Sequence, residues 1–262
     1  MKVEMKTWGA LGLATALMGA GLAGCAGESG EAGENGETAQ TAEAGEAGEG
    51  EGGEGEGGEG EGGESGDVGA LPVEQRLVFM AGHVQAGLAL YRAGEAEAAA
   101  PHLLHPVSET HESERAGLDK LGFDPAPFEK VSAALKAGKP ASEIEPDLKA
   151  AEANIAKMRE AADADPAAQI RYLMDVAVEE YRAGVPDKTV TEAGEYQDAW
   201  GFVMVARDLA NSLEGDQAKQ VGDLLDQMLA LWPDNAPIPP QEAAPAGQVS
   251  ALASRVLLAL PQ

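Results

Sequence analysis

All four histidines of the 262-residue chain fall in its first half, at His83, His102, His105 and His111. His102 and His105 stand three residues apart, so a helix through them puts both imidazoles on one face. This is the spacing of the His-x-x-His and Glu-x-x-His ligand pairs found inside helical bundles. Zn, Cu, Ni and Fe all accept imidazole nitrogen, and Glu109 or His111 could complete a shell. Pro101 and Pro106 bracket the segment, so a helix need not run on to His111. A bend there either returns His111 to the pair or carries it into solvent. The plain alternative is a wet helix end with two solvated histidines.

An internal echo adds a second candidate cluster. Tyr91-Arg92-Ala93-Gly94 recurs ninety residues later as Tyr181-Arg182-Ala183-Gly184. Carried along without a gap, this offset sets His102 on Glu192 and His105 on Glu195. Glu192, Glu195 and Asp198 are then a metal-capable face in the second half, or, more plainly, a capping box and a solvated acidic stripe. His83 falls on Leu173, which predicts a buried, hydrogen-bonded core histidine rather than a ligand.

Catalysis has no comparable signal, and the chain is read as no enzyme. It holds no Gly-rich phosphate loop and no nucleophile elbow, and His111-Glu112 is followed by Ser113, Glu114 and Arg115 where a His-Glu-x-x-His site needs histidine.

The elements that must position these residues are helices. Past Ala70 no stretch alternates with the period of two that marks strands, whereas stripes with a period of 3.6 recur. Leu77, Met80, Val84, Leu88 and Tyr91 line one face of a helix ending near Gly94. Ser142 with Glu145, and Thr189 with Glu192, have capping-box spacing, and Asp165-Pro166 is an N-cap followed by a first-turn proline. Further helices are expected from about Asp216 to Leu231, closed by Trp232-Pro233, and from about Gly247 to Leu260. The reading is all-α: a duplicated up-down bundle of seven to eight helices, with halves at 71–164 and 165–262.

Composition bounds the partners. With 45 Asp and Glu against 18 Lys and Arg, the formal net charge is −27. No basic block exists to neutralise a phosphate backbone, so nucleic acid is excluded as a partner. The single cysteine excludes an intrachain disulfide, a CxxC site and CxxCH haem attachment. Residues 26–70 carry 14 acids, 17 glycines and no Lys or Arg. Such a self-repelling segment with nothing to bury is expected to be a disordered tether, spanning 25–70 with the cysteine.

Residues 1–24 read as an export signal, with Lys2 and Lys6 ahead of an apolar run from Trp8 to Leu22. That run ends in Leu22-Ala23-Gly24-Cys25, which resembles the lipobox of bacterial lipoproteins. The resemblance implies cleavage before Cys25, acylation of that residue, and a membrane partner reached through the lipid anchor. Ala26 follows where an Asp would suggest inner-membrane retention, so the expected location is the outer membrane, facing the periplasm.

A second resemblance rests on Glu180-Tyr181, Val185 and the run Thr191-Glu192-Ala193-Gly194-Glu195-Tyr196-Gln197-Asp198-Ala199-Trp200-Gly201-Phe202. This pattern is similar to the periplasmic helical segment that precedes the membrane part of many bacterial iron permeases. It implies a periplasmic role in metal uptake, chiefly of iron, with a permease or another uptake component as partner. The permeases' Arg-Glu-x-x-Glu motif is absent, since Arg159-Glu160 is followed by Ala161, Ala162 and Asp163. The expected architecture also resembles the imelysin-like iron-uptake lipoproteins. Their Gly-x-His-x-x-Glu signature is not met, because Gly82 directly precedes His83 and Ala86 stands in the glutamate's place.

Together these readings give a lipoprotein that binds or hands over a transition metal, iron first, through His102, His105, Glu109 and His111 or through Glu192, Glu195 and Asp198. The alternative is a non-enzymatic helical scaffold for a partner protein or lipid. A haem-binding bundle with His or Met ligands is a third reading.

Overall fold

The computed structural model describes residues 68–108 and 112–261, all within the unit Gly57–Gln262. The export signal, Cys25, nearly all of the tether, Glu109 and His111 lie outside the described residues. Among the described residues, eight helices of nine or more residues carry the fold: α1 (Val73–Ala93), α2 (Ala96–Leu104), α4 (Ala126–Lys136), α5 (Glu145–Ala162), α6 (Pro166–Gly184), α7 (Ala193–Ala210), α8 (Gly215–Leu229) and α9 (Ala246–Ala259). A four-residue helix, α3 (Glu112–Arg115), lies between α2 and α4. No strand occurs among the described residues, as the periodicity predicts. Nor is any described helix long and apolar enough to cross a membrane.

Helix boundaries follow local chemistry in part. Gly94 ends α1 at φ 93°, a left-handed conformation that glycine adopts without a Cβ penalty, and its N–H bonds back to the last turn. Asp165 caps α6 by accepting a hydrogen bond from the Ala167 N–H at 3.0 Å, with Pro166 in the first turn. The two expected capping boxes do not form. Ser142 lies in a short 3-10 helix, Ala141–Glu143, so that α5 opens on Glu145 with Ile144 at its N-cap. Helix α7 opens at Ala193, and no side chain caps it. Thr191 instead turns its hydroxyl to the Gly184 carbonyl, 3.4 Å away.

The Tyr-Arg-Ala-Gly echo has a structural counterpart. Helices α1, α2, α4 and α5 neighbour one another in a closed ring, and α6, α7, α8 and α9 do so in the same order. The Tyr91 hydroxyl donates to the Lys139 carbonyl at 2.6 Å, ahead of the fourth helix of its half. Tyr181 does the same to Ala244 at 2.9 Å. Arg92 reaches Glu145 and Glu152 on α5, and Arg182 reaches Ser250 on α9.

The echo is not ungapped, however. Helix α2 begins two residues after Gly94, whereas α7 begins nine after Gly184. The ninety-residue offset therefore stops at the first loop, and Glu192 and Glu195 do not occupy the places of His102 and His105.

The two halves share one core. Leu77, Met80, Leu88 and Leu103 of the first half and Ile170, Met174, Val203 and Phe202 of the second belong to a single buried cluster. Helix α1 packs along α7 and touches α6, so the seam between the halves runs through the centre of the unit. The polar residues of interest are buried at that seam.

Candidate metal centre

Helices α1 and α7 cross on two glycines. A Cβ on Gly201 would stand 2.9 Å from the Gly82 carbonyl carbon, and one on Gly82 would run into the Phe202 ring. This close backbone approach brings the residue after Gly82 within reach of the residue one turn before Gly201. His83 Nδ1 lies 2.7 Å from Asp198 Oδ1. From the α2 side, His102 Nδ1 reaches the same oxygen at 2.8 Å. His83, His102 and Asp198 are all buried, and one ligand atom from each falls within 4.8 Å of the others.

Neighbouring groups hold the two rings in place. His102 Nε2 lies 2.9 Å from Gln197 Oε1. A donation there leaves Nδ1 aimed at Asp198, the outer-sphere arrangement that orients a ligating histidine. His83 is stacked on His105, with centroids 4.1 Å apart and planes 14° from parallel. Phe79 and Phe202 meet the His83 ring edge-on at 4.6 and 5.3 Å. The position expected to be plain core is thus buried and also part of the donor cluster.

Carboxylates crowd the same seam. Burial opposes the ionisation of Asp198, but His102 and His83 outweigh it and hold the carboxyl below the usual carboxylate range. Glu180, on α6, is pushed up to about 10 by burial, by its hydrogen bond to Glu195 and by the Glu195 and Asp198 charges, with His83 pulling the other way. The protein therefore keeps one buried carboxylate ionised between two imidazoles and a second one protonated nearby.

Of the seven ligands expected from the sequence, His102 and Asp198 meet directly. His105 is buried and stacks on His83, so neither it nor His102 is a solvated helix-end residue. Glu195 is buried against Glu180, while Glu192 is exposed at the start of α7. The two clusters expected in separate halves thus contribute to one centre at the seam. Pro101 sits within α2 without breaking it, and the helix ends at Leu104, ahead of Pro106.

Sequence reasoning passed over Glu180, Gln197 and the place of His83 in the donor cluster. The echo held a usable signal for two of them. Glu180 and His83 correspond to Leu90 and Leu173, both buried, so each puts a polar group where the other half keeps leucine.

The fold and the site define an all-helical bundle protein with a buried donor cluster of two histidines and one aspartate. Residues 159–261 match the family model described as "Iron permease-associated 4-helix bundle domain", a span that takes in α6 to α9. The match covers less than half of the chain, and it bears out the resemblance of the second half to the iron-permease helical segment. Nothing among the curated proteins or the solved structures matches the chain.

Proposed function

We propose that this protein is a lipid-anchored, periplasm-facing accessory of metal uptake that binds iron as cargo and hands it on, without catalysing a reaction of its own. One observation carries the reading: Asp198 Oδ1 stands 2.7 and 2.8 Å from the Nδ1 atoms of His83 and His102. Two imidazoles and one carboxylate suit ferrous iron, unlike the soft or all-oxygen sets that select Cu(I) or Ca(II). The iron-permease-associated match of residues 159–261 supports iron as the cargo and an uptake component as the partner. The resemblance of Leu22-Ala23-Gly24-Cys25 to a lipobox supports the anchor and the compartment.

The test is an anaerobic calorimetric titration of the full chain with Fe(II), run beside Asp198→Asn and His102→Gln. Near-stoichiometric binding is expected in the unaltered protein, with affinity lowered by about 100-fold or more in each variant while helicity is kept. Equal binding by all three would end the metal-site reading and leave a helical interaction scaffold.

A further inference from the structure

A cleft of about 440 Å³ leads to the donor cluster, and every charged side chain that lines it is a carboxylate or His102. Glu97 on α2 and Glu192 at the N-cap of α7 are exposed at its mouth. His102, Glu195, Gln197 and Asp198 are buried deeper in. Glu192, Glu195 and Asp198 follow one another at i, i+3 and i+6, so one face of α7 presents carboxylates from the mouth to the donor cluster. Neither Lys nor Arg lines the cleft. Beyond Glu195 stands Glu180, only 4% exposed and hydrogen-bonded to Glu195.

The geometry points to an entry route for a divalent cation along this face, with Glu97 and Glu192 as capture residues at the mouth and Glu195 as the relay to Asp198. The inference rests on the metal-binding reading above. A narrow cleft lined by one sign of charge between low-dielectric walls focuses the field and raises the local concentration of the opposite ion. Glu97 and Glu192 are too exposed to hold a metal tightly, but they are placed where a hydrated cation arrives. Glu195 is buried within the cleft and shares its hydrogen bond with Glu180, so it can accept the ion once part of the hydration shell is shed.

Carboxylates in a first helical turn also offset the helix dipole, a purely structural role. Glu129 in the first turn of α4 and Glu214 at the N-cap of α8 have that role without lining the cleft. They make a matched control with the same loss of charge.

The experiment is stopped-flow association of the full chain with Co(II), followed by the quenching of tryptophan fluorescence. Asp198→Asn serves as the baseline for cobalt bound elsewhere. In the Glu97→Gln/Glu192→Gln double variant the association rate should fall about tenfold at low ionic strength, with the dissociation rate into excess chelator unchanged. The difference should shrink as salt shortens the screening length to a few ångströms. The Glu129→Gln/Glu214→Gln protein should associate like the unaltered one. An unchanged association rate in the first double variant, or an equal slowing in the control, would overturn the route. A faster dissociation without slower association would also overturn it, by making Glu97 or Glu192 a ligand. Absence of any Asp198-dependent cobalt signal in the unaltered protein would overturn the site itself, and the route with it.

Discussion

Gly82 and Gly201 face each other where α1 crosses α7, close enough that a methyl group on Gly201 would collide with the Gly82 carbonyl. That crossing sets His83 against Asp198. Backbone cannot move aside as a flexible side chain can, so Gly201→Ala should be the more damaging of the two alanine substitutions. An expected loss of about 2 kcal/mol would lower the melting temperature by roughly 4–8 °C, read by circular dichroism. For Gly82→Ala the nearest atoms belong to the Phe202 ring, a side chain, and the cost should be smaller.

Asp198→Asn should leave two buried imidazoles facing an amide in place of a carboxylate. The Asp198 carboxyl is held below its ordinary range in the folded protein, so it contributes stability above the unfolded carboxylate value of about 3.9. That contribution is lost only as the pH falls through the depressed folded value. The variant should therefore be less stable than the unaltered protein near pH 7, with the gap closing in strong acid. Urea unfolding across that range checks it.

Glu180 titrates in the opposite sense. Its folded value of about 10 lies above the unfolded one, so the folded state keeps a proton that the unfolded state gives up. The sign of the linkage then makes the Glu180 contribution fall steadily as the pH rises from about 4.5 towards 10, by about 1.4 kcal/mol per pH unit at most. Glu180→Gln imitates the protonated form and should flatten this decline. The variant should melt higher than the unaltered protein at about pH 8 and alike at about pH 4.

Protons compete with a metal for the same imidazole nitrogens. Affinity for Fe(II) should therefore weaken steadily as the solution is acidified from about pH 7.5 to about pH 5.5, with protons released on binding. Titration in buffers of different ionisation enthalpy reads both effects. An affinity that ignores pH would place any bound iron away from the histidines.

The repeated tyrosines give a prediction for the fold alone. Tyr91→Phe and Tyr181→Phe each remove one hydroxyl that donates to a loop carbonyl, at 2.6 and 2.9 Å. Each should cost about 1 kcal/mol, and the two losses should add, because the bonds lie in different halves.

Local patterns were legible without coordinates wherever the physics is local. The stripe from Leu77 to Tyr91, the Asp165 cap with Pro166 and the glycine stop at Gly94 all depend on residues within a turn or two, and each appears as expected, whereas α8 stops at Leu229, ahead of Trp232-Pro233. The capping-box pairs failed because their spacing is necessary but not sufficient. The Thr191 and Glu192 N–H groups donate to the Gly184 carbonyl instead, which leaves Thr189 outside the helix start.

By itself, then, the sequence determined an all-helical chain, its echo of Tyr-Arg-Ala-Gly, the absence of any basic block along it, and a small set of residues able to bind a cation. Tertiary structure alone decided which of them meet. The ninety-residue offset cannot survive a loop seven residues longer in the second half, so the pairing of His102 with Glu192 was a property of numbering and not of space. His102 instead meets Asp198, and His83 joins them, because two glycines let α1 and α7 approach at backbone distance. That approach depends on how two helices about 120 residues apart along the chain pack into one core, which no local spacing encodes.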